Sequence, residues 1–351
     1  MPSSETLNRI VNKDKIKIIF YGKLDLRSGS DRIFCYSFSK YLNKYTFCNS
    51  KLKENSFDKE RCDIAIFKKN FPYKELKKIK KIRHDSLIGI TNPSDKNEGI
   101  KSIKIADFAI VGSIEEKAYY SKYIKCFVFP LIEDVNKNLI KSYDSRPKKL
   151  ICYHGNKQHL DFININIEKA IFKLINEGYS FKAIYNLNQL GKCKKKFITE
   201  HIQWDRNTWL KEISNSTVGI CPSSHYTGFL KNKVAQFIIK KRILRNDYLM
   251  QYKNTSNASR AFIFHQLKIP VVAEIGGSFH HLLGDETAGY LCYSEKSWYE
   301  SINRLCNDQD LNKRFSEKAF SLMSTLYNPD DWCKRFIKDI NYWIINEFKI
   351  K

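Results

Sequence analysis

Short apolar runs alternate with amphipathic stretches along almost the whole chain. Ile16–Tyr21 (IKIIFY) predicts a strand, followed by a loop over 22–30 and a helix over 31–44. Further strands are expected over Tyr45–Cys48, Asp63–Phe67, Ser86–Thr91, Asp107–Gly112 and Cys126–Pro130. A helix is expected over Tyr73–Ile82, and another after Ser113, which suits an N-cap with Glu115 and Glu116 in the first turn. Apolar strands separated by amphipathic helices predict a parallel sheet covered on both faces.

The polar stretch 132–148 (IEDVNKNLIKSYDSRPK) interrupts this pattern and reads as a linker. The pattern then restarts. Strands are expected over Lys149–Tyr153, Phe181–Tyr185, His201–Trp204, Thr217–Cys221, Pro270–Ala273 and Gly289–Tyr293. Helices are expected over Ile165–Asn176 behind Asn164, Arg206–Ser214, Asn257–Leu267, 295–306, 310–326 and Asp330–Glu347. The fold class is therefore α/β, with two Rossmann-like domains over 1–145 and 146–328 and a final helix in 329–351. A length of 351 residues suits two domains. Ligands of such sheets bind at the carboxyl ends of strands, so site residues are sought in the loops after strands.

Net charge is +24, with 61 Lys and Arg against 37 Asp and Glu, which favours polyanionic partners. No nucleic-acid-reading motif accompanies the charge, and no nucleic acid is expected. The ten cysteines form no CxxC pair and read as buried thiols of a reducing compartment. The N-terminus lacks the apolar core of a signal peptide, and no run of about 18 apolar residues occurs. A cytoplasmic location follows as the expectation. The insertion Thr227–Gln251, basic with an apolar Phe237-Ile238-Ile239, suits peripheral contact with an anionic inner membrane leaflet.

Residues 254–307 carry a family resemblance. Lys268-Ile269-Pro270-Val271-Val272-Ala273, Gly276-Gly277, Asp285-Glu286-Thr287-Ala288-Gly289-Tyr290-Leu291 and Leu305-Cys306-Asn307 resemble, in order and spacing, the donor half of GT-B glycosyltransferases, especially the retaining family 4-type group. Val218–Ser223, Lys149–Leu160, Ala106–Tyr120 and Trp332–Phe348 resemble further parts of the same family. The family's Glu-x7-Glu pair is absent: Thr255 and Ile263 stand there, and the run Lys253-x-Thr-Ser-Asn-x-x-Arg260 resembles a variant of divergent members. The resemblance implies an acceptor-side first domain, a donor-binding second domain, and a last helix that crosses back to the first. It implies an enzyme moving sugar from a nucleoside diphosphate donor, UDP or GDP type, to a glycan or lipid-linked acceptor in bacterial surface polysaccharide synthesis. No cofactor is expected beyond that donor. The missing glutamates leave open a catalytically degenerate glycan- or nucleotide-binding module, and the charge leaves open a nucleic-acid binder.

Metal-independent transfer needs cations and helix amides on the departing diphosphate. Lys253 and Arg260 flank Thr255, Ser256 and Asn257 at an expected helix start, where Ser256 or Asn257 is the expected cap. Gly276 and Gly277 allow close backbone approach to a sugar or phosphate, and Glu274 beside them suits a sugar hydroxyl. Gly155, Asn156 and Lys157 follow the first strand of the second half, with Lys157 as a phosphate ligand. Ser28, Gly29, Ser30 and Arg32 resemble the family's first-domain glycine loop, with Arg32 directed at a phosphate or an acidic acceptor. Asp95 is the candidate general base and His225 the second candidate catalytic group. His280, His281, Asp285 and Glu286 have no metal-ligand spacing, and Asp308-Gln-Asp310 reads as a helix cap, so no metal site is expected.

Overall fold

The computed structural model describes residues 2–55, 60–94, 97–140, 142, 149–223 and 257–348. The chain divides into two compact units, Met1–Asp134 with Thr325–Lys351, and Val135–Ser324. The first division falls inside the polar stretch that reads as a linker.

The first unit holds six strands: β1 (Ile16–Tyr21), β2 (Cys48–Lys53), β3 (Ile64–Phe67), β4 (Leu87–Thr91), β5 (Phe108–Val111) and β6 (Lys125–Val128). They pair in parallel in the order β2-β1-β3-β4-β5-β6. Strand β2 begins where the predicted Tyr45–Cys48 strand ends. It lies at the sheet edge, paired with β1; only Cys48 and Ser50 are buried while Asn49, Lys51 and Leu52 are exposed, so the run CNSKLK escapes an apolar-pattern reading. Tyr45 and Phe47 instead pack partly buried against the core.

An N-terminal helix, Ser4–Val11, was not anticipated from the apolar pattern. Ser3 caps it through Thr6 N–H, and Leu7 and Ile10 bury one side. The last helix, Pro329–Phe348, sends Cys333, Phe336, Ile337, Ile340, Trp343 and Ile344 into the same core. Phe38 stacks on Phe129 at 4.2 Å and meets the Phe336 edge at 5.1 Å. Aromatic pairs of this kind contribute about 0.5–1.5 kcal/mol each beyond area burial. That packing makes the last helix part of the first unit.

The second unit holds β7 (Leu150–His154), β8 (Ser180–Tyr185), β9 (Glu200–Gln203), β10 (Val218–Cys221), β11 (Val271–Glu274) and β12 (Gly289–Cys292). All pair in parallel in the order β12-β11-β10-β7-β8-β9. Renumbered from β7, this is the dinucleotide-fold order 3-2-1-4-5-6, whose switch point lies between β7 and β10. Trp298, Phe181, Tyr153 and Ile220 fill the core. Asn312, fully buried, donates to Thr217 O at 3.1 Å and Leu305 O at 2.8 Å and so satisfies two carbonyls there.

All ten cysteines are free and buried, as their apolar settings predicted. Burial pushes the Cys152 and Cys221 thiols up to about 12, so neither is a nucleophile at neutral pH. Among the described residues no helix is long and apolar enough to cross a membrane.

Candidate functional site

The switch point of the second sheet gathers several of the sequence-predicted residues. Strand β7 ends in His154, followed by Gly155 at φ +136°, a backbone conformation that glycine tolerates. A Cβ on Gly155 would stand 3.0 Å from the Tyr153 hydroxyl and 3.1 Å from Arg260 Cδ. The bare glycine therefore lets the Arg260 side chain lie against the end of β7.

Arg260 sits in the first turn of the helix Ser259–Gln266. That helix packs closely on β10 because Gly219 carries no side chain: a Cβ there would lie 2.5 Å from the Phe264 ring. The predicted cap differs by position. Ala258 is the N-cap, and Asn257 Oδ1 accepts from Ser259 N at 3.3 Å. The helix starts later than predicted because Asn257 forms an Asx-type turn ahead of it.

Arg260 Nη2 donates to Pro222 O at 2.7 Å, and the guanidinium carbon lies 5.7 Å from the Tyr153 ring centroid. Arg260 Nη1 is buried with no hydrogen-bond partner among the described residues. His154 is buried, its Nε2 lies 3.1 Å from Arg260 O, and its ring packs on Trp209 and Phe264. This histidine supports the helix start.

Glu274 ends β11 and accepts from Ser223 N at 2.7 Å and from Asn164 Nδ2 at 3.4 Å. Burial raises the Glu274 carboxyl above its ordinary range, against the Ser223 and Asn164 hydrogen bonds and the Arg260 charge, which lower it. Gly276 is the extended N-cap of the short helix Gly277–Leu283, with Gly276 buried and Gly277 exposed. Asn156 is exposed, and its carbonyl accepts from Tyr153 Oη at 2.7 Å. Lys157 is turned to Asp161 at 2.8 Å, and that hydrogen bond raises its pKa. Its charge is shared with a carboxylate on its own turn, unlike that of Arg260.

In the first unit the loop after β1 leads into a helix running through Gly29–Asp31, a π-helical turn Arg32–Ser37 and Phe38–Leu42. Ser28 and Ser30 share a hydroxyl contact at 2.9 Å. Arg32 does not point outward. Its Nε and Nη2 form a bidentate pair with Glu133 at 2.7 and 2.6 Å, and Nη1 donates to Leu26 O at 2.7 Å. Both side chains of the pair are buried. The expected phosphate or acceptor ligand is therefore an internal strut, because Glu133, far along the chain, claims the fork. Asp31 is also buried and accepts from Lys68 Nζ at 2.9 Å and from Asp25 N at 3.0 Å. Ser113 caps as predicted, through Glu116 N–H.

Asp95, His225, Lys253, Thr255 and Ser256, and the basic insertion 227–251, lie outside the described residues. Among the described residues no group of three or more His, Cys, Asp or Glu is placed to hold a metal ion. Sequence reasoning missed Ser223 and Asn164 as site residues. The signal for Ser223 was its place directly after β10; the role of Asn164 depends on a side chain 110 positions away.

Two six-stranded parallel α/β units, the second with the dinucleotide-fold strand order, match the GT-B fold. Solved structures share it. A glycosyltransferase from Rickettsia africae superimposes with a TM-score of 0.63 at 12% identity, over 94% of this chain and 99% of that one. Sucrose-phosphate synthase from Thermosynechococcus elongatus gives 0.61 at 12% identity, over 94% and 100%. HepE from Anabaena, solved with UDP-glucose, gives 0.62 at 9% identity, over 93% and 100%. No protein-family model matches the chain, and no curated protein matches it by sequence.

Proposed function

We propose that the chain is a glycosyltransferase that takes a nucleoside diphosphate sugar, of UDP or GDP type, at the carboxyl edge of the second sheet. The observation that carries this is a partly unsatisfied guanidinium, Arg260, held at the switch point between β7 and β10. A diphosphate oxygen supplies what Nη1 lacks, and a fixed cation there stabilises the departing diphosphate more than the intact donor. Gly155 lets the Arg260 side chain lie against the end of β7, and Gly276 and Gly277 open the short helix Gly277–Leu283, where backbone amides suit a sugar or phosphate. HepE was solved with UDP-glucose and the pneumococcal O-GlcNAc transferase GtfA with UDP and GlcNAc, which supports the donor class.

The finer reading is metal-independent transfer to a glycan or lipid-linked acceptor in bacterial surface polysaccharide synthesis. The net charge of +24 and the basic segment 227–251 support contact with an anionic inner leaflet and a cytoplasmic site of action. Lys253 is the proposed second cation on the diphosphate, and Asp95 and His225 are the proposed acid–base groups. The test is calorimetric binding of a UDP- and GDP-sugar panel, followed by donor turnover with and without EDTA. Binding and EDTA-insensitive turnover are expected. Failure of every donor to bind removes the donor reading, and turnover abolished by EDTA removes metal independence.

A further inference from the structure

One peptide unit at the switch point is gripped at both ends. The carbonyl of the Pro222–Ser223 peptide accepts from Arg260 Nη2 at 2.7 Å. The amide of the same peptide donates to Glu274 Oε2 at 2.7 Å. A cation on the oxygen and an anion on the N–H follow the peptide's own dipole, and hydrogen bonds to charged groups are about twice as strong as neutral ones. Rotation of that peptide plane breaks both bonds. Glu274 reaches it from the neighbouring strand, where Cys221 pairs with Ala273. Asn164, the N-cap of the helix Ile165–Asn176, steadies the other carboxylate oxygen at 3.4 Å.

Two polar atoms flank this peptide, Arg260 Nη1 and Ser223 Oγ. Both are buried, and neither has a hydrogen-bond partner among the described residues. The great majority of buried polar atoms in proteins are paired, so two unpaired ones beside a doubly held peptide at a strand end fit ligand oxygens.

We infer that Glu274 is a positioning residue: with Arg260 it locks the Pro222–Ser223 peptide, so that Ser223 Oγ and Arg260 Nη1 present two donors to the oxygens of a diphosphate. The inference rests on the nucleotide-sugar reading above. Glu274 itself does not touch the diphosphate. Its lone pairs are turned to Ser223 N–H and Asn164, and a glutamine carbonyl would still accept from Ser223, with a weaker bond than the carboxylate makes.

The experiment is calorimetry on the full chain with UDP, GDP, UMP and GMP, with thermal unfolding of each variant measured alongside. Ser223→Ala is expected to weaken diphosphate binding about tenfold while changing monophosphate binding much less. Glu274→Ala is expected to give the same selective loss, and Glu274→Gln to restore affinity to within about threefold of wild type. A purely structural role for Glu274 would lower the unfolding midpoint and weaken mono- and diphosphates in equal proportion, and that result overturns the inference. So does wild-type diphosphate affinity in Glu274→Ala. If Glu274→Ala does not fold, Ser223→Ala decides: an unchanged preference for diphosphate over monophosphate overturns the inference. A wild-type chain that binds neither UDP nor GDP removes the nucleotide reading itself, an outcome distinct from variants that match a binding wild type.

Discussion

Gly155→Ala should damage both stability and nucleotide binding, because two separate features of position 155 require a glycine. The first is the backbone. At φ +136° an L side chain is strained, at a cost of roughly 1–3 kcal/mol. The second is space. The new methyl would lie 3.0 Å from the Tyr153 hydroxyl and 3.1 Å from Arg260 Cδ. Tyr153 is fully buried and donates to Asn156 O at 2.7 Å, so its ring yields only by weakening a bond worth about 0.5–1.5 kcal/mol. The flexible Arg260 stem yields more readily, which moves its guanidinium off Pro222 O. Together these give about 2–4 kcal/mol of destabilisation, or a fall of roughly 5–15 °C in the unfolding midpoint for a unit of this size. Displacing one charge-assisted hydrogen bond should weaken UDP or GDP binding about tenfold or more. Differential scanning calorimetry and titration calorimetry read the two effects. A Gly155→Ala protein with the wild-type midpoint and affinity would refute both the strain and the Arg260 placement.

The remaining predictions concern charges. Arg32→Met strips the bidentate partner from buried Glu133 and should cost about 3–5 kcal/mol in urea denaturation; a loss below about 1 kcal/mol contradicts the strut. Lys157→Met should change nucleotide affinity less than Arg260→Met, because Lys157 is already paired with Asp161; equal losses in the two variants refute that ranking. Burial holds His265 neutral, with its pKa pushed down from 6.5 to about 3. Between those values the unfolded chain binds a proton that the folded chain does not. The stability that His265 leaves intact above pH 6.5 is therefore lost as pH falls toward 3. His265→Leu should flatten the fall in stability between about pH 6.5 and 4, and an unchanged slope would contradict it.

The periodic parts of the fold were legible because burial sets the apolar period: β1 is buried on both faces, and the helices Tyr73–Ile82 and Ile165–Asn176 bury one side. Ile16–Tyr21, Tyr73–Ile82 and Ile165–Asn176 occupy the residues that the apolar pattern predicts. Strand β2 was misplaced because an edge strand keeps a polar, lysine-bearing sequence that resembles a loop. The candidate site was legible to the extent that topology dictates it: Gly155 follows β7, Glu274 ends β11, and Arg260 opens the helix that precedes β11. What could not be read was partnership. Arg32 looked like an outward cation because Glu133 stands 101 positions away. The Arg260–peptide–Glu274 clamp joins three chain segments whose proximity exists only once β10 and β11 pair.

The proposed function depends on a nucleoside diphosphate sugar bound to the second unit through Arg260. Titration calorimetry of the wild type and Arg260→Ala against UDP- and GDP-sugars tests it most directly. One donor class should bind the wild type, and Arg260→Ala should weaken it at least about tenfold, as loss of a charge-assisted phosphate contact requires. Binding of no sugar nucleotide, or the same affinity in both proteins, would contradict it.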